Sequence, residues 1–314
     1  MRRGLVLGAG GVLGFTWTVG ALHALEQSLG IDVRDMDVII GTSAGSIMAA
    51  VLSCDVPLDT VLRHQRGRVR PGDVKIDWNY DNDSRGALPP LPMLGLGSPR
   101  LLARVARHPS RFTPFTAASA LLPRGRGHLA PVARMVERIS DSPWPARETW
   151  IVALDYVTGR RTVFGQQGAP AARLSEAVTA SCAIPGWYAP IRIGGRRYID
   201  GGTYSATSLD LLAGSALDEV FVVAPMAAVG YDNPLSVVGQ VERQFRRTVS
   251  RRLDREAEKV RRSGTEVTIL APGPDDLRAI GVNMMDLRRR RAVLRTSLVT
   301  GAQALSGRRS DLTA

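Results

Sequence analysis

The chain has 314 residues, of which 44% are apolar and 22% are charged. This composition is typical of a folded globular protein and excludes a largely disordered one. Only two cysteines occur, Cys54 and Cys182, which is too few for a disulfide scaffold or a cysteine-rich metal site. We therefore expect a reduced, cytoplasmic protein, built as a single α/β domain over residues 1–314.

The formal net charge is +12, and it is unevenly distributed. Only Lys75 and Lys259 are lysines, so a general preference for arginine raises the isoelectric point. Residues 242–310 carry 17 basic and 8 acidic side chains, which places +9 of the charge there. Such a region favours contact with anionic phospholipid headgroups, although any single arginine is more often part of a solvated helix face. No nucleic-acid-binding motif accompanies the arginines, so we expect no nucleic-acid partner.

The first 53 residues are predicted to form two units, each consisting of a strand, a glycine turn and a helix. Residues 1–25 superficially resemble a signal peptide, but six glycines lower the helix propensity and hydrophobicity of this stretch and no cleavage site follows. Instead, the pattern predicts a strand over 5–7 and a helix to about residue 30, then a strand over 38–40 and a helix over 44–53. Two such units indicate a parallel sheet with its chemistry at the carboxyl ends of the strands.

Residues 69–128 form a predicted insertion that is rich in proline, glycine and arginine. Its apolar piece, residues 87–96, suits neither a core helix nor a core strand. Two interpretations stay open for this piece. It is either a cap or lipid-contacting element beside the site, or a loop packed on the body of the protein.

Regular elements resume after the insertion. The pattern predicts a helix over 130–140, strands over 150–155 and 161–164, and a helix over 173–181. A hairpin over 191–199 and a strand over 219–223 follow. The part from 234 to 314 is predicted to be basic and mainly helical, with a long helix over 234–262, a strand over 266–270 and a last helix from about 286.

The motif Gly41-Thr42-Ser43-Ala44-Gly45 lies between a predicted buried strand and a helix. This G-x-S-x-G pattern is the nucleophile elbow, in which flanking glycines make room for a sharp turn that presents the serine hydroxyl at a helix amino terminus. The free N–H groups and the helix dipole there favour developing negative charge. Ser43 is therefore a candidate nucleophile.

A serine nucleophile requires a base, and none of the four histidines suits this role. His23 lies in a helix ahead of the serine, and the others lie in irregular, arginine-rich surroundings at positions 64, 108 and 128. In α/β-hydrolases the histidine follows the nucleophile and the acid, and no histidine occurs beyond residue 128. Asp200, at the end of a predicted strand and followed by Gly201 and Gly202, becomes the best candidate base.

The glycine-rich turn Gly8-Ala9-Gly10-Gly11-Val12-Leu13-Gly14 allows two interpretations. A dinucleotide fingerprint counted from Gly8 requires a glycine at Leu13, and the acidic residue expected after the second strand is missing. The alternative is an oxyanion hole, in which the N–H groups near Gly10 and Gly11 point at the tetrahedral intermediate.

Taken in this order, the glycine-rich turn, the serine motif and Asp200-Gly201-Gly202 resemble the patatin-like phospholipase family. The block Ala180-Ser181-Cys182-Ala183-Ile184-Pro185-Gly186 also resembles one that is characteristic of that family. The likeness covers roughly residues 4–54 and 150–223.

The resemblance implies a three-layer α/β/α fold with a mainly parallel sheet, and a serine acyl hydrolase of the phospholipase A, lysophospholipase or esterase type. It assigns Ser43 as nucleophile, Asp200 as general base and the Gly10 and Gly11 backbone as oxyanion hole, with no metal or organic cofactor. The motif glycines are Gly8, Gly14, Gly41, Gly45, Gly201 and Gly202.

Two residues depart from the family pattern. Ala9 stands where the family usually has glycine, and Leu13 stands where it usually has arginine or lysine. We expect Ala9 to be tolerated unless its φ is positive. Leu13 removes a charge near the oxyanion loop, and this favours the alternative of a catalytically silent lipid- or membrane-binding relative.

Overall fold

Runs of buried apolar residues form one mixed sheet in the computed structural model, which describes residues 1–76 and 90–306. The sheet order is β5-β6-β3-β2-β1-β7-β8, and β4 pairs with β3 outside this path. The strands of the described residues are β1 Arg3–Leu7, β2 Val38–Thr42, β3 Glu148–Asp155, β4 Arg161–Phe164, β5 Ile191–Ile193, β6 Arg196–Asp200, β7 Glu219–Val223 and β8 Glu266–Leu270.

Five neighbouring strands are parallel, in the spatial order β3, β2, β1, β7 and β8. Strands β4 and β6 run antiparallel to β3. Val152 of β3 is paired with Thr42 of β2, and the next residue, Ala153, is paired with Asp200 of β6. Because β4 occupies the other edge of β3 over residues 151–154, β2 and β6 lie end to end along one edge of β3, and the carboxyl ends of the two strands meet there.

Alternation along the strands divides the core between the two faces of the sheet. Leu5 and Leu7 pack with the helices of one face, whereas Val6 packs with Leu253 and Ala257 of the long helix on the other. The helices are α1 Gly11–Leu29, α2 Ala44–Ser53, α3 Leu58–Arg66, α4 Pro99–Arg107, α5 Pro114–Leu121, α6 Ala130–Ile139, α7 Leu174–Ser181, α8 Val237–Arg261, α9 Pro274–Ile280 and α10 Arg290–Leu305. The predicted three-layer α/β/α class with a mainly parallel sheet is confirmed.

The predicted strands and the longer helices occur within a few residues of their expected bounds. The stretch that superficially resembled a signal peptide forms β1 and the buried helix α1. The last helix begins at Arg290, later than expected, because a 3-10 turn, Leu287–Arg289, precedes it. No helix of the described residues is long and apolar enough to cross a membrane.

The insertion contains more regular structure than the sequence analysis anticipated. Helices α4 and α5 lie within it, and both begin with a proline in the first turn after a Ser or Thr cap. They pack on the end of β3 through Leu101 and Ala120. The apolar piece 87–96 falls partly outside the described residues; its described part is 90–96, of which residues 91–96 are exposed to solvent.

Candidate active site

Ser43 occupies a strained turn between β2 and α2. Its φ of 53° and ψ of −123° lie in a region that side chains rarely adopt. The neighbouring glycines are required by close contacts, since a Cβ at Gly41 would lie 2.5 Å from the Ser46 Cα and one at Gly45 would lie 2.0 Å from the Leu7 carbonyl oxygen. The local geometry is that of a nucleophile elbow.

Ser181, the last residue of α7, and Cys182, which follows it, hold this turn in place. No role was predicted for either residue from the sequence. The Ser43 N–H donates to Ser181 Oγ at 2.8 Å, and Ser181 Oγ donates to the Val152 carbonyl at 2.6 Å. The Cys182 thiol donates to the Ser43 carbonyl at 3.3 Å. The block at 180–186, noted only as a family likeness, is the signal that could have identified them.

Asp200, the last residue of β6, lies on the same edge of β3 as the end of β2 and interacts with the Ser43 hydroxyl through a side-chain hydrogen bond. Its Oδ1 accepts a hydrogen bond from the Gly202 N–H at 2.7 Å. Burial raises the pKa of the Asp200 carboxyl to about 6, although the hydrogen bonds from Ser43 and Gly202 oppose this rise. Asp200 is thus an ionised base above about pH 6 and a neutral acid below it.

The glycine-rich turn lies directly beside the Asp200 turn. The N–H groups of Gly8 and Ala9 donate to the carbonyls of Val223 and Ala206. Those of Gly10 and Gly11 have no hydrogen-bond acceptor among the described residues. Gly11 has a φ of 57°, which favours glycine, and both glycines line the same cleft as Ser43 and Asp200. Two free N–H donors therefore border the serine.

The two departures from the family pattern have structural explanations. Ala9 is not among the described residues with positive φ, so a side chain is tolerated there. Leu13 is fully buried in the core on α1, and its N–H donates to the Met284 carbonyl. The site thus tolerates leucine at this position by packing it as a core residue.

Two buried charged residues of α8 contact the segments that surround the glycine-rich turn. Arg246 donates to the Pro225 carbonyl at 2.7 Å and to the Met284 sulfur at 3.2 Å, and both of these residues pack against Gly14. Glu256 accepts hydrogen bonds that fix the segment carrying the Ala206 carbonyl. Its donors are Ser205 Oγ, Thr207 Oγ1, the Leu209 N–H and Arg252 Nε. Sequence reasoning missed both residues because arginines and glutamates are common along this helix.

Ser43 and Asp200 line a cleft of about 590 Å³. Its wall is mainly apolar and includes Phe115, Leu122 and Phe245, whose chemistry suits an acyl chain. Among the described residues that line this cleft there is no histidine. In the described parts of the chain, no group of three His, Cys, Asp or Glu side chains is arranged to hold a metal.

Comparison with known proteins gives one family and a set of distant structural neighbours. The structure of VipD from Legionella pneumophila aligns with 98% of this chain and 67% of its own, at 12% identity and a TM-score of 0.46. The type III effector protein ExoU aligns with 98% of this chain and 53% of its own, at 15% identity and a TM-score of 0.38.

No curated protein matches the chain. The family model described as "Patatin-like phospholipase" matches residues 5–213, a span that includes the glycine-rich turn, Ser43 and Asp200. Because this span covers more than half of the sequence, the chain belongs to the patatin-like phospholipase family.

Proposed function

We propose that the protein is a serine acyl hydrolase that cleaves fatty acyl esters of lipids with a Ser43–Asp200 dyad. The observation that carries this proposal is the contact between Ser43, in its strained turn, and a buried carboxylate in an apolar cleft. A buried carboxylate whose pKa lies near 6 is a stronger base than an ordinary aspartate and is still ionised at neutral pH. We further propose that the substrate is presented by a membrane with anionic headgroups, which the net charge of +12 supports.

In the first half-reaction, the Asp200 carboxylate accepts the proton of the Ser43 hydroxyl while Oγ attacks the ester carbonyl carbon. The Gly10 and Gly11 N–H groups donate to the oxyanion that forms. The intermediate then collapses and the carbon–oxygen bond to the alcohol breaks. The proton on Asp200 passes to the departing alkoxide, which leaves as the lysolipid or alcohol.

In the second half-reaction, a water molecule attacks the acyl-enzyme. Asp200 accepts the proton of this water and returns it to Ser43 Oγ as the fatty acid departs. One water molecule is consumed for each ester bond, and the dyad is regenerated. The free N–H groups serve the same role in both steps.

The test is hydrolysis of a medium-chain p-nitrophenyl ester at pH 8 by the wild type, Ser43→Ala and Asp200→Asn. We expect Ser43→Ala to lose turnover and Asp200→Asn to lose about 10²- to 10⁴-fold in kcat, as for the loss of a general base. Folding is checked by circular dichroism. Ser110→Ala and Asp254→Asn, both at exposed positions, are matched controls and should retain wild-type rates.

Turnover by Ser43→Ala at the wild-type rate would exclude the dyad. A folded wild type that binds lipid vesicles and hydrolyses none of the esters tried would instead favour the silent lipid-binding alternative. That alternative was suggested by Leu13, which the structure accommodates as a core residue.

A further inference from the structure

An exposed apolar loop lies beside the mouth of the cleft. Leu91 and Leu94 are almost completely exposed, and Met93 and Leu96 are about half exposed. Exposed groups of large apolar side chains mark surfaces that contact a partner or a membrane. We refer to residues 91–96 as the apolar loop.

Hydrogen bonds connect the apolar loop to the rim of the cleft. The Met93 N–H donates to the Arg124 carbonyl at 2.8 Å, and the Arg124 guanidinium donates back to the Gly97 carbonyl at 2.9 Å. Leu122, two residues before Arg124, is exposed and lines the cleft that contains Ser43. The apolar loop and the cleft mouth are therefore parts of one continuous surface.

A second exposed apolar strip reaches the cleft from α8. The Phe115 and Phe245 rings meet edge to face with their centroids 5.0 Å apart, and both line the cleft. Val241 lies one helical turn before Phe245, on the same side of α8, and is exposed. Val237, the first residue of α8, and Leu235, just before the helix, extend the exposed strip. Apolar side chains thus flank the mouth on two sides.

Next to the apolar loop lies a depression of about 710 Å³ that is rich in arginine. It begins at Ser98, two residues after the loop, and contains one acidic side chain, Asp155, which is paired with Arg196. We call it the arginine depression. Its five arginines are Arg100, Arg124, Arg192, Arg196 and Arg197.

The arginine depression contains an arrangement that is unfavourable in the protein alone. Arg192 and Arg197 are directly opposite each other in the antiparallel β5–β6 pair. Like charges at paired positions destabilise a hairpin, and an anion bound between them removes this cost. In the described residues from 90 to 136, the chain contains seven arginines and no acidic residue. The charge of this surface therefore matches an anionic partner.

We propose that the apolar loop and the arginine depression together form the docking surface for a bilayer that contains anionic phospholipid. The leucines insert among the acyl chains, and the arginines bind the headgroup phosphates. The inference rests on the proposed function, since docking here places the cleft mouth against the lipid substrate. It assigns membrane contact to residues 91–100 and Arg124 of the insertion and to the β5–β6 hairpin, whereas the sequence charge pointed to residues 242–310.

The test is co-sedimentation with vesicles of phosphatidylcholine alone and with 30% phosphatidylglycerol, in about 150 mM salt. We expect Arg100→Gln/Arg192→Gln/Arg197→Gln to lower the partition coefficient on anionic vesicles by about tenfold or more. Leu91→Ser/Leu94→Ser should weaken binding to both kinds of vesicle. The matched control Arg138→Gln/Arg262→Gln/Arg295→Gln removes three exposed charges elsewhere and should bind as the wild type does.

Each variant is also assayed on a water-soluble p-nitrophenyl ester, whose turnover should stay at the wild-type rate. An equal loss of binding in the control triple would overturn the proposal, as would tighter binding to duplex DNA than to the anionic vesicles at the same salt. If the wild type binds anionic vesicles as expected but hydrolyses no ester, the proposed function fails while the docking surface stands.

Discussion

At the scale of single residues, the main feature is the strained backbone at Ser43. Its positive φ places a side chain in a region where glycine is favoured, and such residues cost of order 1–3 kcal/mol. The surrounding contacts enforce this conformation, since Ser181 fixes the Ser43 N–H and Cys182 fixes its carbonyl. The turn therefore keeps the hydroxyl directed at Asp200 at the expense of stability.

Replacing Ser43 by glycine is expected to relieve this strain. We expect Ser43→Gly to be about 1 kcal/mol more stable than Ser43→Ala in urea unfolding, although both variants lack the nucleophile. Ser46 provides the control, because it lies inside α2, where glycine is less stable than alanine. If the alanine variant were more stable than the glycine variant at both positions, the Ser43 turn would be unstrained.

The raised pKa of Asp200 predicts how the rate depends on pH. The carboxylate must be ionised to accept the Ser43 proton, and its pKa is about 6. We expect kcat/KM for a neutral soluble ester to be level above about pH 7 and to fall tenfold per unit below about pH 5. A rate that stays constant down to pH 4.5, in a protein still folded by circular dichroism, would contradict the role of Asp200.

The same pKa predicts a cost in stability at neutral pH. The folded pKa is raised above the ordinary value of 3.8, so the contribution of Asp200 to stability is favourable below about pH 4 and is lost as the pH rises through 6. About two pKa units correspond to roughly 3 kcal/mol. We expect Asp200→Asn to unfold at a higher temperature than the wild type at pH 8 and at the same temperature near pH 3.5. A lower Tm at pH 8 would contradict this.

At the scale of elements, α8 supports the glycine-rich turn from outside the span matched by the family model. Its Glu256 accepts three hydrogen bonds from the segment around Ala206 and a fourth from Arg252 of α8. The Ala206 carbonyl accepts the hydrogen bond of the Ala9 N–H at 2.8 Å. Arg246, fully buried on the same helix, holds the carbonyl of Pro225, which packs against Gly10. Both residues act through the glycine-rich turn and are positioning residues.

Replacing Glu256 by glutamine should disturb the oxyanion hole that we propose at Gly10 and Gly11. All four groups that bind Glu256 are hydrogen-bond donors. The NH₂ group of a glutamine at this position would face them as a further donor. We expect kcat to fall roughly 10- to 100-fold with KM unchanged, as for a small displacement of a catalytic group. The rate of labelling by a fluorophosphonate should fall in proportion. Glu258→Gln, exposed on the same helix, is the control; equal kcat values for the two variants would refute this role of α8.

The sequence was sufficient to predict most of these elements, because the strands are continuous apolar runs and the longer helices have clear periodicity. It was insufficient for α3 and α9, of nine and seven residues, whose few apolar side chains give a weak pattern. The helices of the insertion were also missed. Their prolines indicate a loop from composition alone, although in the structure these prolines stand in the first turn, where no N–H is needed.

At the scale of the whole molecule, the register of β3 explains why residues 157 positions apart meet. Val152 faces Thr42 and Ala153 faces Asp200, so the ends of β2 and β6 converge. Motif order in the sequence predicted this convergence for Ser43, Asp200 and the glycine-rich turn. The roles of Arg246 and Glu256 and the surface beside the cleft depend on long-range contacts, and no local pattern encodes them.

The whole molecule also presents its apolar loop, its arginine depression and its cleft mouth as one continuous surface. This arrangement is consistent with a lipid substrate that stays in a bilayer while its ester enters the cleft. The arginines of the C-terminal helices account for much of the net charge, but two of them, Arg243 and Arg246, are buried in internal ion pairs. Local placement of charge is therefore a better guide to the partner than net charge.

The most direct measurement is the site of labelling by a fluorophosphonate, mapped by mass spectrometry at pH 8 and pH 5. We expect a single adduct on Ser43, formed about tenfold more slowly at pH 5 because Asp200 is then largely protonated. We also expect Asp200→Asn to form the adduct far more slowly at both pH values. An adduct on another residue, or equal labelling of Ser43 in Asp200→Asn, would contradict the Ser43–Asp200 dyad.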